Sequence, residues 1–207
     1  MAREQIAPTK SNLMRVKERL ATAEEGYDLL EQKREILVME LMAKVEQVKL
    51  LERDLDARIA SAYPALKRLL VAVGRERAGR IARNIRYEFE LEEKRQFIAG
   101  MNLPSLEVHL PGVGLQYSEA NSFAECDEIV VEFFGLLRIV TELAAVRTIA
   151  WRLAREVRKT QRRVNALEKM VIPAAQDTKV YIEAALEEKE RDAFFSSKLL
   201  KRKAGKE

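Results

Sequence analysis

Ser11–Leu30 reads SNLMRVKERLATAEEGYDLL, and its apolar residues Leu13, Val16, Leu20, Ala23, Tyr27 and Leu30 follow one another in steps of three and four. A 3–4 alternation is the seam of a helix that packs lengthwise on another helix. Just before it, Pro8-Thr9 and Ser11-Asn12 supply start and cap candidates. Past Arg34 the stripe resumes at Leu37 and Leu41, then slips by one to Val45, Val48, Leu55 and Ile59, which reads as a stutter. Only Pro64 interrupts the far end of this segment, and it is predicted to kink or end the helix near Tyr63.

A second long arm stands at the other end of the chain. Leu136, Val140, Leu143, Ala150, Leu153, Val157, Val164, Leu167 and Val171 form a seam of the same kind, which picks up again past Pro173 at Thr178, Ile182, Ala185 and Lys189. Because the period resumes, Pro173 is predicted to kink the helix rather than stop it. About 80 helical residues at 1.5 Å each reach roughly 120 Å. Two arms of that length, on either side of a central insert, can zip into an antiparallel pair with both termini at one end.

Eight glycines and five prolines in 207 residues are about half the ordinary combined usage of roughly 12%. Five of those glycines and two of the prolines fall between Gly74 and Tyr117. Period-2 alternation occurs there twice, at Ile85, Tyr87, Phe89 and Leu91, and at Leu106, Val108 and Leu110, with Pro104 and Pro111-Gly112 bracketing the second run. The fold class expected is therefore mainly α: a long antiparallel two-helix coiled coil with a small β-hairpin-like insert. The segments are 1–73 for the N-terminal helix, 74–120 for the insert and 121–207 for the C-terminal helix with its basic tail. Sandwiches, barrels and doubly wound sheets need a turn or strand rhythm that this chain lacks.

Chemistry is conspicuously scarce. Gly74–Ile81 (GRERAGRI) has phosphate-loop spacing but neither the lysine nor the Ser/Thr that such a loop needs. Gly112-Val113-Gly114 reads as hairpin punctuation. His109, the single histidine, alternates with Val108 and Leu110 and reads as a solvent-facing strand residue. Cys126 is the single cysteine, so no internal disulfide and no four-ligand Cys/His zinc site can form. Its neighbours Asp127 and Glu128 discourage an anionic nucleophile. Trp151 and Phe133-Phe134 read as packing residues, and the carboxylate pairs Glu24-Glu25, Glu92-Glu93 and Glu187-Glu188 as solvated helix faces. No catalytic residue, cofactor or metal is expected. No apolar h-region opens the chain and no 18-residue apolar run occurs, so a cytoplasmic chain without direct membrane insertion is expected.

Two basic features resist a purely structural reading. Lys159–Glu168 (KTQRRVNALE) puts Val164 and Leu167 on the seam and Arg162, Asn165 and Glu168 on another face. An asparagine near a seam can fix register, but two adjacent arginines ask for a partner that accepts guanidinium hydrogen bonds. At the C-terminus Lys198, Lys201, Arg202, Lys203 and Lys206 face only Glu207. That tail suits a solvated helix end, phosphates of nucleic acid or lipid, or an acidic protein collar. The overall charge, 37 cations against 33 anions, is only mildly positive, and no aromatics interleave the basic residues, which weighs against nucleic acid.

Three strings together resemble the D subunit of V-type (A/V-type) rotary ATPases: Pro8–Leu13 (PTKSNL), Gly26–Arg34 (GYDLLEQKR) and Arg162–Glu168 (RRVNALE). Ile172-Pro173, Tyr181–Glu183 and Leu186–Arg191 continue the resemblance in order. It implies a non-catalytic central-stalk rotor subunit whose terminal helices enter a ring of three A and three B subunits, with the small F subunit and the funnel-like C subunit (d in eukaryotes) lower on the shaft. It also implies coupling of ATP hydrolysis or synthesis to rotation and ion, typically proton, transport in a complex whose catalytic sector is peripheral to the membrane. Arg162, Arg163, Asn165, Glu168, Lys198, Lys201 and Arg202 are then the candidate ring contacts. Leu13, Leu20, Tyr27, Leu37, Leu41, Val157, Val164, Leu167, Val171 and Ile182 are the candidate seam. The alternative is an elongated helical scaffold whose basic end binds nucleic acid or an anionic membrane.

Overall fold

The N-terminal helix starts where its cap is. Thr9 Oγ1 accepts the Asn12 backbone N–H at 3.3 Å, and Asn12 Nδ2 donates to the Ala7 carbonyl at 2.8 Å, so an otherwise orphaned first-turn donor is satisfied. The computed structural model describes residues 6–84, 88–98, 100–109 and 124–204. From the cap, α1 (Lys10–Val73) runs 64 residues. Val16, Leu20, Ala23, Leu37, Leu51, Ala62, Ala65, Leu69 and Val73 are buried along it, with Leu13, Tyr27 and Leu41 half-buried.

Where the slip at Val45 is expected, Lys44 and Val45 are both half-buried; Leu51 and Ala62 carry the buried face onward, while Arg58 and Ile59 are both exposed. The long aliphatic stem of Lys44 can lie along apolar surface while its polar head reaches a partner. Lys44 Nζ donates to Gln47 Oε1 at 3.2 Å, and Arg58 Nη1 to Glu132 Oε2 at 3.2 Å. Pro64 does not end α1. It deprives one carbonyl of its donor, but buried Ala62, Ala65 and Leu69 on both sides keep the helix packed.

Gly74, at φ 85°, ends α1. Its N–H donates to the Leu70 carbonyl at 3.1 Å, and its own carbonyl accepts the Ala78 N–H at 3.0 Å. This is the left-handed cap that glycine adopts without a Cβ penalty. The stretch with phosphate-loop spacing is thus a helix, α2 (Arg75–Asn84).

The insert holds an antiparallel hairpin, β1 (Glu90–Ile98) with β2 (Met101–His109), registered from Glu90↔His109 to Ile98↔Met101. It turns at Gly100, φ 80°, rather than at Gly112–Gly114, which with Leu110 lies outside the described residues. The first strand lies further along the chain than its alternation suggests: Phe89 precedes β1, and Ile85 and Tyr87 are outside the described residues. Pro104 sits inside β2 opposite Arg95 instead of bracketing it. Both strands of a two-stranded sheet are edges, where proline is tolerated.

The C-terminal arm is α3 (Ala124–Ala166), a π turn over Leu167–Val171, and α4 (Ile172–Ala204). Pro173 does not stop the helix; the Ile172 N–H just before it donates to the Leu167 carbonyl five residues back. A π turn carries one extra residue. Past it Ala175, Thr178 and Ile182 are buried, with Ala174 and Tyr181 half-buried beside them. Val157, Leu167 and Val171 are half-buried, whereas Val140 is 46% exposed and Lys189 exposed, so these two leave the expected seam.

The chain divides into two compact units, Met1–Glu35 with Val157–Glu207, and Ile36–Glu156. In the first, Lys10 pairs with Glu190 at 2.9 Å and Lys17 with Glu183 at 2.8 Å. In the second, Glu52 pairs with Arg147, Arg58 with Glu132 and Arg68 with Glu128. Residue numbers fall on the partner helix as they rise along α1, so the helices of each unit are antiparallel. The second unit's core includes one cluster of Leu51, Leu143 and Val146, and another of Leu69, Val73 and Cys126.

Candidate functional site

In the first unit a polar chain interrupts the aliphatic seam. α1 places Glu31 and Arg34 one turn apart, and α3 places Gln161 and Asn165 one turn apart. Arg34 pairs with Glu31 through Nη2 and donates from Nη1 to Gln161 Oε1 at 2.8 Å. Gln161 Nε2 then donates to Asn165 Oδ1 at 2.9 Å. Glu31 Oε2 and Arg34 Nε are buried without a partner. Buried Thr178, also in this unit, satisfies itself by donating to the Ala174 carbonyl at 2.7 Å.

Asn165 thus lies in the packing layer and not on an open face, whereas Arg162, Arg163 and Glu168 are exposed. None of these three makes an ion pair among the described residues. Lys10, Lys17 and Arg34 of the same unit find carboxylates. Lysine pairing leaves its electrostatic mark. A hydrogen bond from Lys17 holds the Glu183 carboxyl below the ordinary 4.5, and one to Glu190 raises the Lys10 ammonium above 10.5. Arg34 and Gln161 were not among the sequence candidates, although a charge standing on a seam step at Arg34 was the available signal.

At the far end of α4, Lys198, Lys201 and Arg202 are exposed together with Phe194, Phe195, Leu199 and Leu200. The end of the helix therefore offers apolar surface as well as cations. The two phenyl rings contact edge to face at 6.5 Å. Lys206 and Glu207 lie outside the described residues.

The remaining singled-out residues do not assemble a reaction centre. His109 is exposed on β2, its Nε2 3.2 Å from Glu92 Oε2, and that contact holds the Glu92 carboxyl below 4.5. Glu92, Glu107 and His109 cluster, but the Lys94 ammonium lies 2.5 Å from Glu107 and 3.6 Å from Glu92, which already neutralises the carboxylates. Cys126 is buried in its apolar cluster. Phe133 is 37% exposed beside Tyr63, while Phe134 is half-buried and packs against Phe89 as expected. Trp151 does not: it is 61% exposed, with the Arg155 guanidinium 4.2 Å over its ring. No described helix is long and apolar enough to cross a membrane.

Antiparallel helix pairs with exposed arginines form a broad class of helical proteins able to dock on partners. Comparison with known proteins narrows the class. Residues 12–202 match the family described as the ATP synthase D subunit. The chain is 45% identical over 196 residues to V-type ATP synthase D subunit 2 of Treponema pallidum, covering 95% of this chain and 94% of that one. It is 32% identical over 201 residues to the V-type ATP synthase D subunit of Thermotoga neapolitana, covering 97% and 99%. Against the A-type ATP synthase D subunit of Pyrococcus horikoshii it is 34% identical over 201 residues, covering 95% and 93%. The chain belongs to the ATP synthase D-subunit family, a central-stalk component of V-type and A-type rotary ATPases. The alternative, a scaffold binding nucleic acid or an anionic membrane, is not favoured.

Proposed function

We propose that this chain is the rotor shaft that couples ATP hydrolysis or synthesis in a ring of A and B subunits to rotation of a membrane rotor, and so to ion translocation. In this reading residues 1–73 and 121–207 form the shaft and 74–120 the insert that seats the F and C/d subunits. The whole assembly half is peripheral to the membrane. The observation that carries the reading is the family match over residues 12–202, with the exposed guanidinium groups of Arg162 and Arg163 inside it.

The mechanism is reciprocal. A shaft that makes different contacts at each of three ring interfaces biases each toward a different state, and nucleotide binding there must bias the shaft angle by the same free energy. Arg162, Arg163 and Glu168 supply directional hydrogen bonds and charge for such contacts. Lys198, Lys201 and Arg202, with the exposed apolar residues beside them, fit a collar that is acidic at its rim and apolar within.

Co-purification tests the reading: one copy of the chain per A/B hexamer is expected, and recovery without the ring would overturn it. Removal of residues 198–207 is expected to leave ATPase turnover but weaken its coupling to ion transport. Undiminished pumping in the truncated complex would remove the tail from the mechanism.

A further inference from the structure

A seam that repeats every seven residues is ambiguous about alignment, because sliding one helix by seven sets apolar residues against apolar residues again. We propose that the Glu31–Arg34–Gln161–Asn165 chain is the register key of the terminal helix pair, fixing the alignment that the aliphatic seam leaves open.

In the observed alignment Arg34 meets Gln161 at 2.8 Å. A slide of seven residues one way sets Arg34 opposite Ala154 and Gln161 opposite Tyr27. The other way brings Arg34 to Glu168 but sets Gln161 opposite Leu41. Either slide removes the cross-helix donor from the Gln161 carbonyl oxygen, and the second sets it against aliphatic Leu41; a part-buried acceptor that loses its partner costs stability. The composition of the layer supports the same role. α1 contributes a charged pair and α3 an amide pair, each joined within its helix, and the Arg34–Gln161 bond ties the two across. Two buried atoms, Glu31 Oε2 and Arg34 Nε, also remain unpartnered, which marks a layer retained for specificity more than for stability. The inference rests on the chain's own packing and holds whether or not the shaft turns in a ring.

The ion pairs provide the readout. Lys10 faces Glu190 and Lys17 faces Glu183, positions seven apart on each helix. In the full-length chain with Cys126→Ala, the pair K17C/E183C reports the native alignment under mild oxidation. K17C/E190C and K10C/E183C report the two slides. With the layer intact, only K17C/E183C is expected to close. With R34L/Q161L, closure of at least one slipped pair is expected to rise about tenfold or more, the scale set by one stranded buried group. Slipped closure with the layer intact would overturn the key. So would slipped pairs that stay open in R34L/Q161L while K17C/E183C still closes. Should R34L/Q161L lose its helical circular dichroism, Q161L alone carries the same test, since it leaves the α1 ion pair untouched. Co-purification with the ring is read separately, so either result stands apart from the other.

Discussion

Arg34 and Arg58 both occupy steps of the α1 stripe, yet they sit in opposite environments. Arg34 is half-buried, bonded to an amide across the helix pair and to Glu31 on its own helix. Arg58 is exposed and reaches Glu132, whose other partner is the Ser61 hydroxyl at 2.8 Å. Its guanidinium lies over Gly135, 3.5 Å from where a Cβ would stand. The same residue type at the same kind of step thus makes a desolvated layer in one unit and a solvated rim contact in the other. Coulomb attraction is screened at the rim, whereas removing one partner of a desolvated pair leaves the other stranded.

Arg34→Ala tests the comparison hardest. It strands Glu31 and Gln161, and a loss of about 2–3 kcal/mol is expected in urea unfolding. Replacing Glu31, Arg34 and Gln161 together by leucine should instead leave stability unchanged or higher, since nothing is then stranded. A triple variant as unstable as Arg34→Ala would break the distinction.

Gly135→Ala comes next and has the opposite sign. The added Cβ meets Arg58 at ordinary contact distance, so the gain of replacing a mid-helix glycine, about 0.5–1 kcal/mol, should appear as a higher melting temperature. A loss there would mean that Arg58 is clamped as tightly as Arg34.

Arg58→Ala should cost less than Arg34→Ala, and added salt should shrink its effect while leaving that of Arg34→Ala largely intact. The smallest effect is acid-dependent. The Ser61 hydroxyl, then Arg58, holds the Glu132 carboxyl below 4.5. A lowered carboxylate contributes stability that is present above its unfolded value and lost as pH falls through its folded one. Glu132→Gln should therefore melt below the unmodified chain at neutral pH, and the two should converge as pH drops below the ordinary carboxylate range. A difference that persists in acid would assign Glu132 a purely steric role.

Much of this was legible in the sequence because helix pairing writes itself in periodicity. Val16, Leu20, Leu37, Val164 and Ile182 could be placed on a seam by counting. Counting failed where a polar residue took an apolar step. Near Lys44 and Val45, both half-buried, counting alone does not say which residue holds the step. The hairpin was legible as alternation but not in place, because β1 is mostly charged (Glu90, Glu92, Glu93, Lys94 and Arg95) and a solvated two-stranded sheet imposes little apolar pattern. Asn165 announced itself as a register residue. The link from its neighbour Gln161 to Arg34 did not, since that bond spans 127 residues, and Arg34 showed only as a charge on a seam step.

The π turn at Leu167–Val171 works like a leap day. It fits one extra residue into a turn just before the chain reaches buried Ala175, Thr178 and Ile182. That makes the turn the place where the chain tolerates a change of length. Deleting one residue there exchanges a π turn for an α turn. A single insertion elsewhere in α4 would rotate the buried face by about 100° with nothing to absorb it.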